Sequence, residues 1–198
     1  MTHTEFEWHG GNPVTNFINT LDERLSGAPV ERLDTFDSLV SFAVQASLLD
    51  KPLANQIVKR NSAGMKALTL DRAKGFREAL WRVLSARESR SAVLASSLSD
   101  IESVIHDAIA SRRLTTKNGV VTWIWKEPAA ADRLLFEIAL AANELFENKV
   151  HATIKRCAAE DCGVLFLDSS QSQRRKWCDM TTCGNRNKVR RFRSEHRS

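Results

Sequence analysis

The chain has 198 residues, of which 42% are hydrophobic and 27% charged, with a formal net charge of +5. That length fits one compact domain plus a small module, and the apolar share suffices for a core. No apolar run approaches the roughly 20 residues of a membrane span. The acidic, apolar-poor start Met1–His9 does not read as a signal peptide, so a cytoplasmic location with reduced thiols is the expectation. The charge is uneven: residues 151–198 hold 11 Lys/Arg against 5 Asp/Glu, and residues 1–150 hold 18 against 19. Such asymmetry points to an anionic partner for one end only.

In chain order, His9–Pro13 reads as a turn that starts a helix, with Asn12 as N-cap and Pro13 as first helical residue. Val14, Phe17, Ile18, Leu21 and Leu25 mark its apolar face, and Ser26–Pro29 ends it. Asn16, Asn19, Thr20 and Glu23 lie opposite, as a solvated face or as the polar wall of a ligand pocket. Asp34 and Thr35 cap a second, buried helix through Leu48. A shorter helix follows Asp50-Lys51-Pro52 and spans about 53–61, and Gly64 is expected to break the chain.

A longer helix is predicted from Asp71 to Glu88. Phe76, Leu80, Val83 and Leu84 face inward, and Arg72, Lys74, Arg77, Arg82 and Arg87 form a solvated surface. Ser99 and Glu102 have capping-box spacing for the next helix, with Ile101, Ile105 and Ile109 inward and His106 at the surface. Residues 112–125 switch to strand character around Asn118-Gly119, a turn pair able to take positive φ. Trp123 and Trp125 share one strand face, where they pack on the core or line a ligand cavity. Glu127-Pro128 starts a last long helix to about Lys149, which joins stiffly to the segment from His151.

All four cysteines fall beyond that join, as two C-x4-C pairs, Cys157/Cys162 and Cys178/Cys183, fifteen residues apart. This is the spacing of a tetrathiolate metal site, since two short turns can each aim two sulfurs at one point. About forty residues bury too little apolar surface to fold unaided, so a zinc ion would supply folding free energy. A disulfide pair, an iron–sulfur cluster and idle thiols are the alternatives; a reducing compartment disfavours the first, and a basic helix nearby suits nucleic acid better than the second. Ile154–Arg156 and Val164–Leu167 can pair as a hairpin around the first knuckle, and Asp161 and Asp168 read as exposed loop acids.

From Cys183 onward a helix is predicted, with Gly184 tolerated in its first turn. At about 100° per residue, Arg186, Arg190, Arg193 and Arg197 form one stripe, with Val189, Phe192 and His196 on a neighbouring face free to pack on the knuckles. No acid at four-residue spacing relieves the arginines, so an anionic partner is expected. Arg174, Arg175 and Lys176 upstream, and Lys188 and Arg191 on the helix, complete the candidate nucleic-acid contacts.

Cys183-Gly184-Asn185-Arg186, Trp177-Cys178 and Leu165–Ser169 resemble the bacterial CGNR zinc finger, which usually follows a domain called ABATE in proteins classed as stress-induced transcription regulators. Gly11-Asn12-Pro13 through Leu21 is similar to the opening of ABATE domains, which often carry an aspartate where this chain has Asn16. The resemblance implies zinc at Cys157, Cys162, Cys178 and Cys183 and a finger that binds DNA.

The expected fold is α+β, mostly α. A helical domain with one β-hairpin (1–150) precedes a small four-cysteine zinc-binding module of β-hairpin plus C-terminal helix (151–198). The expected function is a DNA-binding transcription regulator whose first domain senses a small effector, through Asn16, Asn19, Thr20, Trp123 and Trp125, or mediates homodimerisation. A protein-interaction or RNA-binding module is the alternative. No GxSxG, P-loop, HExxH or dinucleotide fingerprint is present, and four thiolates leave zinc no open position, so no enzyme is expected.

Overall fold

The computed structural model describes residues 5–148 and 153–196. The chain is mostly helical, with three separate two-stranded antiparallel hairpins. Its elements are α1 (Pro13–Ile18), β1 (Leu21–Asp22), β2 (Val30–Glu31), α2 (Phe36–Gln45), α3 (Lys51–Arg60), α4 (Ala63–Glu88) and α5 (Ala95–Ala110). Next come β3 (Arg112–Lys117), β4 (Val120–Trp125), α6 (Arg133–Glu147), β5 (Ile154–Arg156), β6 (Leu165–Leu167) and α7 (Asn185–Glu195). The predicted join at 149–152 lies outside the described residues. No helix among the described residues is long and apolar enough to cross a membrane.

The core forms where α1, α2, α4, α5 and α6 meet. Phe17 and Ile18 on α1, Leu39 and Phe42 on α2, Phe76 and Leu80 on α4, and Leu134, Leu135 and Ile138 on α6 are all fully or nearly fully buried. Asn12 caps α1 through Thr15 N at 3.0 Å, as its position before Pro13 predicts. Thr35 and Ser38 cap α2 reciprocally, and Asp50 caps α3.

Besides α2, which ends at Gln45 short of Leu48, four helix boundaries differ from the sequence reading. First, α1 stops at Ile18 and does not continue through Leu25. Asn19 turns its side chain to β6, Thr20 Oγ1 donates back to Phe17 O, and the chain enters β1. Leu25 is left half-exposed. Second, α4 runs straight through Gly64. Ser62 caps it through Met65 N, and a glycine in the first turn costs only about 1 kcal/mol, spread over a 26-residue helix. Third, α5 begins at Ala95, so Ser99 lies inside the helix and caps nothing; Ile101 and Ile105 face inward, whereas Ile109 is exposed. Fourth, α6 begins at Arg133. Asn61 holds residues 129–131 in a turn by donating to Ala129 O and accepting from Ala131 N.

Arg82 and Arg87 of α4 are exposed as expected, but Arg72 and Arg77 are not part of a solvated surface. Arg77 is 3% exposed and grips Glu31 with two bonds of 2.6 and 2.7 Å. Arg72 bridges Asp107 and Asp132. The β3–β4 hairpin turns at Asn118-Gly119, both with positive φ, as that pair predicts.

The β5–β6 hairpin packs on the helical body. Its Ile154 and Leu165 belong to the same buried cluster as Phe17 and Leu134. Asn19 Nδ2 donates to Leu165 O at 2.8 Å and Asn19 Oδ1 accepts from Leu165 N at 3.0 Å. Leu167 N donates to Gly10 O, and Arg156 pairs with Glu88 of α4. Gly163, at φ +73°, passes so close to Arg24 and Leu25 that a Cβ there would lie 2.9 Å from Leu25 Cγ and 3.3 Å from Leu25 N. Only glycine suits both that conformation and that approach.

Candidate metal centre and basic surfaces

Two knuckles carry the cysteines. The first closes the β5–β6 hairpin, with Cys157 N donating to Val164 O and Cys162 N to Ala159 O. The second runs beside it, with Ala158 N donating to Lys176 O. Asp179 then accepts from Thr181 N and Thr182 N and opens one wide helical turn, Met180–Gly184, which carries Cys183 and feeds α7. The predicted helix therefore starts as this π-type turn.

All four sulfurs lie within 4.8 Å of one another, all four residues are buried, and none forms a disulfide. Cys162 and Cys178 Sγ are 3.7 Å apart, and Cys178 and Cys183 Sγ are 3.6 Å apart. A tetrahedral site with metal–sulfur bonds of about 2.3 Å has edges of about 3.8 Å, so the donor set fits such an ion. The crowding has an electrostatic consequence. The hydrogen bond with Cys162, then that with Cys178, lowers the Cys157 thiol; contact with Cys157 raises Cys162 and Cys178. Four thiols cannot all ionise in contact without a cation, and a divalent cation at their centre removes the conflict. Arg186 Nη2 lies 3.5 Å from Cys183 Sγ and adds positive charge beside the site.

Asp168 corrects the sequence reading: it is 1% exposed. Lys155 Nζ at 2.7 Å, Ser170 N and Oγ, and Arg175 N all donate to its carboxylate. Lys155 foremost, then Ser170, holds this carboxyl well below its ordinary range. The residue pins the loop between the knuckles. The Asp-Ser-Ser sequence carried a signal for it, as a side chain that caps its own turn.

The predicted basic contacts divide into three sets. Arg174, Lys176, Lys188, Arg191 and Arg193 are exposed. Arg175 is engaged inward: Nε donates to Trp177 O, Nη2 to Cys178 O, and its guanidinium lies over the Phe166 ring. Arg186 and Arg190 have acidic neighbours from the first knuckle, which helical spacing alone does not show. Arg186 lies 3.1 Å from Asp161, and Arg190 lies 3.6 Å from Glu160 and 3.8 Å from Asp161. Arg197 lies outside the described residues.

The apolar face of α7 does not pack on the knuckles as expected. Val189 and Phe192 are 49% and 61% exposed, and Phe192 stacks on His196 instead. The helix is short of apolar residues and projects from the wide turn, with Arg186 and Arg190 reaching across to the acids of the first knuckle.

The candidate effector residues form no shared cavity. Asn16, Asn19 and Thr20 are withdrawn from solvent and line a cleft of about 20 Å³, room for a water molecule. Asn16 Oδ1 is taken by Gly10 N, and both polar atoms of Asn19 by Leu165. Neither tryptophan lines that cleft. Trp125 stacks on Phe136 with Arg133 4.3 Å away, whereas Trp123 stands 47% exposed on the same strand face.

A tetrathiolate metal site closed by a β-hairpin, with a basic helix leaving its last cysteine, defines a zinc-finger protein, and the CGNR zinc finger family matches residues 153–196. Residues 11–149 match the ABATE family, described as "Putative stress-induced transcription regulator". The chain belongs to the ABATE family and carries a C-terminal CGNR finger. No curated protein matches it.

Proposed function

We propose that the chain is a transcription regulator that binds duplex DNA through its C-terminal finger, with zinc as the metal held by Cys157, Cys162, Cys178 and Cys183. One observation carries the reading. Helix α7 has eleven residues and no buried side chain among those described, yet Arg186, Lys188, Arg190, Arg191 and Arg193 crowd onto it. Beyond its anchored start the helix gains from the fold the exposed pairs of Arg186 and Arg190 with Glu160 and Asp161, and a polyanion would relieve the repulsion that still crowds its cations. Guanidinium forks suit phosphates and guanine edges.

The four cysteines would hold the metal and so fix the wide turn, the turn fixes the start of α7, and α7 presents its cations. The chain acts by binding and not by catalysis, because four thiolates saturate a tetrahedral ion. A large effector in the Asn16–Thr20 cleft is disfavoured by its size, so the first domain is a scaffold or protein-contact surface in this reading.

The test is binding of the metal-loaded chain to labelled duplex across a salt series. With four to six phosphates met, log affinity should fall against log salt with a slope of about −4 to −5. A slope near zero overturns the proposal, as does unchanged binding by an R190E/R193E variant that keeps its zinc. The exposed Phe192 gives the RNA reading one specific support, since aromatic rings stack on unpaired bases. A structured RNA that outcompetes duplex would establish that alternative.

A further inference from the structure

A second basic surface lies where the helical body meets the finger, away from the residues that α7 supplies. The last turn of α4 and its cap form one wall of a shallow cleft of about 670 Å³, and residues 174–176 form the other. β5 runs along the floor, held to α4 by the Arg156–Glu88 pair. Seven Lys/Arg residues line this cleft against one carboxylate, Glu88.

Three of the seven cations have structural duties. Lys155 holds Asp168, Arg156 holds Glu88, and Arg175 grips the second knuckle. The other four, Arg87, Arg90, Arg174 and Lys176, are exposed and have no ion-pair partner among the described residues. Two come from the body and two from the finger.

Cations at a helix C-terminus commonly serve its open carbonyls, but Arg87 and Arg90 are not needed for that. Ser89 N and Oγ donate to Ser85 O, Arg90 N to Arg87 O, and Ser91 N to Ala86 O. Arg90 itself sits at φ +55°, in the left-handed turn that ends the helix. Its guanidinium and that of Arg87 are therefore left over once the cap is complete.

We infer that this cleft is a second phosphate-backbone contact for duplex DNA, through which the N-terminal domain itself touches the nucleic acid alongside α7. The inference rests on the DNA-binding reading above. Four unpaired cations facing one groove between two elements repel one another, and a phosphate backbone crossing the groove relieves both walls at once. The contacts position the duplex without reading its sequence, because they reach phosphates and not base edges.

The experiment uses the full-length, zinc-loaded chain and a labelled duplex of mixed sequence, with affinity measured between about 50 and 200 mM salt. R87A/R90A should weaken binding at least about tenfold at the lower salt and flatten the salt slope by about 2. R87K/R90K should restore most of both, because phosphates accept a point charge. Zinc content and helicity should not change. R174A/K176A tests the opposite wall independently and should flatten the slope by the same amount.

A parent chain that binds with the expected slope, while both alanine pairs leave that slope untouched, overturns the cleft contact and leaves the α7 reading standing. A parent chain that does not bind duplex at all overturns the DNA reading and the cleft contact with it. Stronger binding to an RNA hairpin, with the same loss in the variants, overturns the assignment to duplex.

Discussion

Asn19, the residue that caps the end of α1, holds the backbone of Leu165 from both sides, donating to its carbonyl at 2.8 Å and accepting from its N–H at 3.0 Å. Leu165 is fully buried, so neither group has water to fall back on. Asn19→Ala should therefore cost about 2–6 kcal/mol, from two orphaned peptide groups at about 1–3 kcal/mol each. Asn19→Asp should also destabilise, because a carboxylate meets the Leu165 carbonyl where an amide donated. Denaturant unfolding of the metal-loaded chain measures both, and a loss under about 0.5 kcal/mol for alanine would show the clasp to be incidental.

The Arg77–Glu31 pair makes stability depend on acid. Burial alone would raise the Glu31 carboxyl, but the hydrogen bond and charge of Arg77 outweigh it and hold it below its ordinary 4.5. Glu78 is lowered the same way: burial opposes, while Arg24 and then Arg77 prevail. The unfolded chain then binds more protons as pH falls, so this stabilisation is complete above about pH 5 and is lost progressively below 4.5. Arg77→Met should cost about 3 kcal/mol at neutral pH, toward the lower end for a broken buried pair because Glu31 keeps some solvent. It should also flatten the fall in melting temperature between about pH 5 and 3, which a pH series of thermal scans would reveal.

Metal removal should be felt well beyond the finger. Ile154 and Leu165, which flank the first knuckle, sit in the main core. Cys183→Ser, or a chelator, should abolish stoichiometric zinc and lower the melting temperature of the whole chain by at least about 10 °C. Calorimetry distinguishes this from the alternative, in which the helical body melts at its old temperature after the finger has gone.

On the proposed DNA-binding reading, Asp161 would compete with the duplex for the arginines. It faces Arg186 and Arg190 in an exposed setting, where such pairs are worth about 0–1 kcal/mol. Asp161→Asn should raise duplex affinity about threefold and steepen the salt slope by a fraction of a unit. Weaker binding would mean that the acid instead orients the arginines productively.

The sequence exposed much that depended on local spacing, though the Ser99-Glu102 pair fell inside α5. The paired cysteines, the Asn12-Pro13 start, the Asn118-Gly119 turn and the apolar stripes of α2, α4 and α6 all arise from neighbours in the chain. What it hid were partners supplied from far away. Asn19 reads as one more polar residue on a helix until β6 arrives 146 residues later to meet it. Arg77 lies among five basic residues that look alike, and only β2 distinguishes it by bringing Glu31. Gly64 misled because its cost depends on its place in the helix, and that place was set by Ser62. The pairing of Arg186 with Asp161 was likewise invisible, because helical spacing compares a residue only with its own helix.

Gly163 threads its knuckle under Arg24 and Leu25 with no room for a single added carbon. Residues 153–196 are thus no portable cassette: grafted onto another protein, they would bring a raw apolar underside and a slot shaped for a neighbour left behind. The wide turn that aims α7 is capped by Asp179, which touches His9 of the body at 3.8 Å, so a change at that contact would re-aim the helix.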